Sequence, residues 1–397
     1  MKKLLILAGS HFQIPVIRYA KNQGYFVITC DNRPENPGHR LSDRYVNVST
    51  TDLDGILNVG IEHGIDGILA YASDPAAPAA GYVADRLGLP GNSYDSINIL
   101  GLKSRYRRFQ EEHNLNHPNF RVVRADQYHA NLLDGLQFPL IVKPVDSAGS
   151  KGVTSVDRLD QVPAAIEAAL QFSRSREVIA EEVVRKIGHQ IGGEAYVYKG
   201  ELVMMCLGDQ QVNPASAYRY VPTGMTFPAD LDSAEREILR NELSRHLALS
   251  GFQTGALNLE IMKTAGGKFI FMEIGPRSGG NLLPELMPYA CGFDEAGYSV
   301  EHALGNDVVP PRAFDAETGF HAYFAIHARQ KGIFRGLEKN PVLESWILEE
   351  HIFLEIGQEY DAFKHSGYVI GIWLMRFHEQ REMSEFFAHP YDFYRLV

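Results

Sequence analysis

Gly255-Ala-Leu-Asn-Leu-Glu-Ile-Met-Lys-Thr-Ala-Gly-Gly-Lys-Phe-Ile-Phe-Met-Glu-Ile-Gly-Pro-Arg277 reads as a β-hairpin. Gly266-Gly267 is a two-residue turn signal between alternating apolar runs. With Ala265 facing Lys268 across that turn, residues pair at a constant index sum. Glu260 then stands opposite Glu273, and Asn258 opposite Gly275. Like charges facing each other across a sheet are destabilising, so the pair calls for neutralisation. Divalent magnesium is one answer, because it binds one or two carboxylates together with nucleotide phosphates. A solvated edge on which both glutamates reach water is the other. The hairpin alone leaves both readings open.

Around this hairpin lies a chain of 397 residues, 45% hydrophobic and 22% charged, as expected of a globular protein with two or three domains. A formal net charge of −11 without any long Lys/Arg run argues against nucleic acid as the main partner. No apolar stretch approaches a membrane span, and Met1-Lys-Lys-Leu-Leu-Ile-Leu7 reads as a first buried strand rather than a signal segment. Cys30, Cys206 and Cys291 are scattered without metal-ligand spacing, which fits reduced thiols in a cytoplasmic protein.

The first hundred or so residues alternate strand-like and helix-like segments, which implies a parallel sheet covered on both faces. Ligands bind such sheets at the carboxyl ends of the strands, here near Gly9, Asp31 and Ser73-Asp74. Gly9-Ser10 is not a dinucleotide fingerprint, since His11 and Pro15 stand where glycines are required; it reads as a tight strand-to-helix turn. A charged helix from Ser104 toward His117 follows, then an αβ module reaching about Val184, with strands at Leu140–Val145 and Val178–Val184 and a helix at Val162–Phe172. Beyond come a hairpin around Lys199-Gly200, a helix over 233–249, the opening hairpin and a helix over 283–304. The last ninety or so residues read as an appended α+β section whose aromatics serve as core or oligomer interface.

Lys143 lies inside the apolar strand Leu140–Val145, immediately before Asp146-Ser-Ala-Gly-Ser-Lys-Gly152. Lysine is rarely buried without a partner. A phosphate oxygen is one such partner, with backbone N–H groups of the Gly/Ser loop (Ser147, Gly149, Ser150, Gly152) cradling the same group. An edge strand with Lys143 in water is the alternative. The strand Val178-Ile-Ala-Glu-Glu-Val-Val184 ends in Glu181 and Glu182, and its backbone suits an adenine edge, with Glu181 taking the exocyclic amine.

Lys103, Lys143, the glycine loop, Glu181-Glu182, Glu260, Glu273 and Arg277 form an ordered series, and it resembles the ATP-grasp superfamily, in particular the carboxylate–amine ligases. The likeness covers roughly residues 1 to 305. It implies an α/β and α+β architecture: a Rossmann-like pre-ATP-grasp domain (1–102) similar to biotin-carboxylase-like enzymes, a linker helix plus lid subdomain (103–184), a catalytic subdomain (185–308) and an α+β C-terminal extension (309–397). It also implies nucleotide contacts from Lys103, Lys143, Ser147, Gly149, Ser150, Gly152, Glu181, Glu182 and the backbone of Val183 and Val184, and metal contacts from Glu260 and Glu273. Two positions depart from the pattern. Gln190 stands where a ribose-binding glutamate is usual, and its amide is expected to bind the ribose hydroxyl more weakly, while Gly275 stands where an asparagine helps hold the second metal. Asn258, opposite Gly275, is the expected replacement ligand.

Enzymes of this kind convert a carboxylate to an acylphosphate with Mg-ATP, manganese serving as a substitute metal, and an amine then displaces phosphate. Arg277 and Lys143 are the expected catalytic residues, the arginine fork matching phosphate or carboxylate. Arg219, in the segment 213–222, is a candidate for recognising a second carboxylate; a surface arginine is the other reading. The expected partners are ATP, a small carboxylate and an amine, in a homodimer. A purine-pathway-like or carboxylase-like enzyme using formate or bicarbonate is the nearest alternative. A non-catalytic nucleotide-binding module is another, favoured by Gly275 and Gln190.

Overall fold

The computed structural model describes residues 1–124, 127, 129–147, 149, 151–212, 221–363 and 368–397. Strands β1 (Lys3–Leu7), β2 (Phe26–Cys30), β3 (Arg44–Val46) and β4 (Gly67–Ala70) form a parallel sheet in the order β3-β2-β1-β4. Helices α1 (Ile14–Asn22) and α2 (Leu53–His63) connect β1 to β2 and β3 to β4, and α3 (Ala77–Leu87) follows β4. Leu5 and Leu7 pack toward α2 and α3, whereas Leu4 and Ile6 pack toward α1. Burial on both faces is why the first strand is a continuous apolar run.

Helices α4 (Tyr94–Gly101) and α5 (Lys103–Glu112) lead into a small antiparallel sheet. Its strands β5 (Phe120–Arg124), β6 (Leu140–Pro144), β7 (Thr154–Val156) and β8 (Glu177–Glu182) run in the order β5-β8-β6-β7, and α6 (Val162–Leu170) covers one face. Because β6 is interior to this sheet, Lys143 is not an edge-strand residue.

The central sheet carries β9 (Gln190–Tyr198), β10 (Glu201–Val212), β11 (Pro222–Phe227), β12 (Gly255–Lys263), β13 (Phe269–Gly275), β14 (Ala313–Phe314), β15 (Phe320–His327), β16 (Ile347–Ile352) and β17 (Val369–Phe377). They run in the order β13-β12-β9-β10-β11-β15-β17-β16, with β14 beside β10. Helix α7 (Ser233–Ser250), started by an Asp232/Glu235 capping box, packs Leu239, Leu243 and Leu247 against Leu257, Leu259 and Ile261 of β12. The opposite face of β12 is thereby left to Asn258 and Glu260. No helix among the described residues is long and apolar enough to cross a membrane.

Two expectations change here. The helix expected over 283–304 is two helices, α8 (Leu283–Ala290) and α9 (Glu295–Ala303), separated at Gly292 (φ +71°) and restarted by Asp294, whose carboxylate accepts from Gly297 N. The C-terminal section is also less separate than an appended unit, since β15, β16 and β17 extend the central sheet, Phe227 pairing with His321. Its aromatics are core: Phe324, Trp373, Phe386 and Tyr394 share one buried cluster.

Candidate functional site

The opening hairpin forms by a different route from the one its sequence suggests. Its turn has three residues, Ala265 to Gly267, so that Thr264 rather than Ala265 faces Lys268; Thr264 N donates to Lys268 O and Gly267 (φ +74°) closes the loop. That register alone would put Met272 opposite Glu260. A bulge at Met272 shifts the ladder by one residue, and Glu260 pairs with Glu273, Asn258 with Gly275. Two departures cancel. Across β9, β12 and β13, one row holds Gly192, Glu260 and Glu273, and the next holds Glu194, Asn258 and Gly275.

The bulge is held from outside. Arg107, fully buried on α5, donates from Nη2 to Met272 O at 2.8 Å, while Gln110 Nε2 reaches Phe271 O at 2.9 Å. Arg107 Nε also donates to Glu181 Oε1 at 2.7 Å, and Lys143 Nζ lies 2.6 Å from Glu181 Oε2. Each oxygen of Glu181 thus has one cationic partner in this structure. Burial would raise its carboxyl, but Arg107 and then Lys143 hold it down at about 2. Arg107 was missed in the sequence, although Lys103, Arg107 and Gln110 form an i, i+4, i+7 stripe that marks one helix face.

Glu182 is likewise engaged, accepting from Gln137 N at 2.8 Å and Asn119 Nδ2 at 3.0 Å. Val183 N donates to Pro139 O, and Val184 O accepts from Lys186 N. Gln190 Nε2 donates to Glu260 Oε2 at 3.1 Å, so in this structure Gln190 serves the glutamate pair.

Lys103 joins three parts. Its backbone N donates to Val145 O, its ammonium lies 3.1 Å from Glu273 Oε2, and it donates to Ser147 O at 3.1 Å. Ser147, Gly149 (φ +71°) and Gly152 (φ +70°) follow in the glycine loop, whose start is pinned by Asp146 accepting from the backbone of Arg174 and Ser175. Ser150 and Arg219 lie outside the described residues. A cavity of about 30 Å³ is bordered by Asp74, Lys103, Asp146, Ser147, Arg174 and Glu273. Asp74 lies where the carboxyl ends of the first sheet were expected to meet a ligand, whereas Arg174 was not singled out.

Arg277 does not stand with an open fork. Its Nε and Nη2 each donate to the Asp74 carboxylate at 2.6 Å, and Nη1 donates to Ser278 O at 2.8 Å. A Cβ at Gly275 would lie 3.4 Å from both Arg277 Cζ and Asp74 Oδ1. The ion pair thus borders position 275 at ordinary van der Waals distance. Ala72 N donates to Ser278 Oγ, bringing the Ser73-Asp74 loop against Ser278–Gly280, while His11 stacks on Phe353 at 4.4 Å.

Glu260 and Glu273 suit a hard divalent cation held partly by phosphate. Burial, and then Glu273, pushes the Glu260 carboxyl up to about 7. Among the described residues no group of three or more His, Cys, Asp or Glu side chains is arranged to hold a metal unaided. Two carboxylates completed by phosphate oxygens is the donor set magnesium prefers.

Behind Arg277 lies a second acidic group that the sequence did not mark. Glu194, Glu285 and Glu295 are buried together, Tyr71 Oη donating to Glu285 Oε1 at 2.8 Å. Burial pushes the Glu285 carboxyl up to about 8. A carboxyl raised above its unfolded value of 4.5 contributes stability that is full below 4.5 and lost as pH rises through about 8. Glu285→Gln keeps an acceptor for Tyr71. It is expected to flatten the fall in melting temperature between about pH 5 and pH 8, leaving the variant the more stable protein at the alkaline end. Thermal melts across that range check this.

Taken together, the parallel N-terminal sheet, the lid sheet with its glycine loop and the central antiparallel sheet bearing two opposed glutamates define an ATP-grasp fold. Residues 109–297 match the family described as D-ala D-ala ligase C-terminus. An L-amino acid ligase from Bacillus licheniformis superposes with a TM-score of 0.81 at 19% identity, covering 100% of this chain and 98% of that one. A phosphoribosylglycinamide synthetase from Anaerococcus prevotii does so with a TM-score of 0.78 at 20% identity, covering 100% and 99%. The uncharacterised protein y4rH of Sinorhizobium fredii is 24% identical over 266 residues, 65% of this chain and 54% of that protein, so this chain spans about half the length of that relative.

Proposed function

We propose that this chain is an ATP-dependent ligase that activates a small carboxylate as its acylphosphate and couples it to an amine, releasing ADP and phosphate. The observation that carries this reading is the facing pair Glu260 and Glu273 beside Lys103, with Lys143 and Arg277 on neighbouring elements. Magnesium held by the two glutamates and Asn258 Oδ1 would neutralise charge on the transferring phosphoryl group. Lys103 and Lys143 supply point charges for the nucleotide phosphates, and the loop 147–152 excludes water from the acylphosphate. The backbone around Val183 and Val184 receives adenine. Arg277, freed from Asp74, holds the acyl group or the transferring phosphoryl group through its planar fork.

Retention of both glutamates, both lysines and Arg277 supports catalysis over a binding-only role. ADP release with Mg-ATP, measured over paired panels of carboxylic acids (formate and bicarbonate included) and amines, tests the proposal. Release that depends on one acid and one amine together is the expected result. Release that needs neither would overturn it.

A further inference from the structure

Asn258 is the replacement ligand in the reading above, and a carboxamide serves a metal only through its oxygen. Its nitrogen donates to Glu194 Oε1 at 2.9 Å and to Gly193 O at 3.2 Å. Glu194 is fully buried on β9, directly beside Asn258 in the ladder, and its Oε2 accepts from Gly279 N at 3.0 Å. Both oxygens of that carboxylate thus receive N–H bonds, so Glu194 meets Asn258 as an acceptor. The flipped amide would set Asn258 Oδ1 against Glu194 Oε1 and Gly193 O, an acceptor facing two acceptors.

Gly279 is part of the same arrangement. A Cβ there would collide with Glu194 Oε1 and lie 2.9 Å from Asn258 Nδ2. A side chain there would have to displace the carboxylate oxygen, whereas glycine lets the 278–280 backbone close over Glu194 and donate to it. Nothing in the phosphate chemistry uses Glu194, yet a buried carboxylate is kept at this place.

We propose that Glu194, clamped by Gly279, is the positioning residue that fixes the Asn258 amide with its oxygen turned away from β9 and available to the metal. Partners of this kind, one shell out from a ligand, change metal affinity about ten- to a hundredfold. The inference rests on the reading of Glu260 and Glu273 as metal ligands, and its test separates the two. Mn²⁺ is the probe, its binding to the full-length protein with ADP present followed by electron paramagnetic resonance. Glu194→Gln preserves volume but offers Asn258 a donor as well as an acceptor. It is expected to weaken Mn²⁺ binding about tenfold or more, with metal-free ADP affinity unchanged. Gly279→Ala, which crowds the carboxylate without removing it, is expected to act in the same direction. Combining Glu194→Gln with Asn258→Ala should weaken binding no further than Asn258→Ala alone, because both act through one oxygen. Unchanged Mn²⁺ affinity in Glu194→Gln, or additive losses in the double variant, overturns the positioning role while leaving the metal site standing. Unchanged affinity in Glu260→Gln and Glu273→Gln overturns both.

Discussion

Arg107→Leu is expected to lose about 3–5 kcal/mol of folding stability, the range found when one member of a buried ion pair is removed. The side chain is fully buried and makes three bonds, to Glu181 Oε1, Gln110 Oε1 and Met272 O. Leucine fills part of the volume but leaves Glu181 with Lys143 alone and strands an amide and a carbonyl. Removing the guanidinium lets burial raise the Glu181 carboxyl from about 2. A depressed carboxylate contributes stability that is present above 4.5 and is lost as pH falls toward about 2, so that contribution shrinks in the variant. Chemical denaturation near neutral pH and at about pH 4 measures both effects. Arg107→Leu/Glu181→Gln should recover part of the loss, because the buried carboxylate is gone and the amide oxygen can still accept from Lys143. An isolated Arg107→Leu loss below about 1 kcal/mol would show that the triad is not the brace described.

The same residue explains why the hairpin was only half legible. Gly266-Gly267 marked a turn and the alternating runs marked two strands, and these local signals were sound. Turn length depends on Thr264 bonding to Lys268 through both backbone and hydroxyl, for which the sequence carries no distinctive sign. The bulge depends on Arg107, a residue more than a hundred and fifty positions away that supplies a donor for the displaced carbonyl. An index sum taken from the wrong turn matched the right pairing only because the bulge added back the residue that the longer turn had removed. Lys103 beside Glu273 follows from the order of the motifs, but the closure of Arg277 by Asp74 could not, since it joins a loop of the N-terminal sheet to the end of β13. The division of α8 from α9 was written in Gly292 and Asp294 and was overlooked. The joining of the C-terminal strands to the central sheet rests on long-range pairing that no local pattern encodes.

Arg277→Ala is expected to lower turnover on the order of 10²–10³-fold, as loss of one preorganised donor to developing charge does. Metal-free nucleotide affinity should change little, since Lys103 and Lys143 remain. The structure adds a complication, because Asp74 loses the partner that holds its carboxyl low against the effect of burial. Arg277→Ala therefore removes the fork and leaves an unpaired carboxylate at once. Asp74→Asn separates the causes: it removes that charge but leaves the guanidinium, now less firmly oriented by its two 2.6 Å bonds. Arg277→Ala/Asp74→Asn should regain stability yet stay as inactive as Arg277→Ala. Arg277→Lys should also stay inactive, because an ammonium cannot make two parallel bonds to a phosphate or carboxylate. If Arg277→Lys turns over at close to the parent rate, the residue acts as a point charge and the fork has no special role. If the double variant regains turnover, Arg277 serves chiefly to neutralise Asp74, and the acyl group is held elsewhere. Steady-state ADP release, together with nucleotide titration of each purified variant, decides among these outcomes.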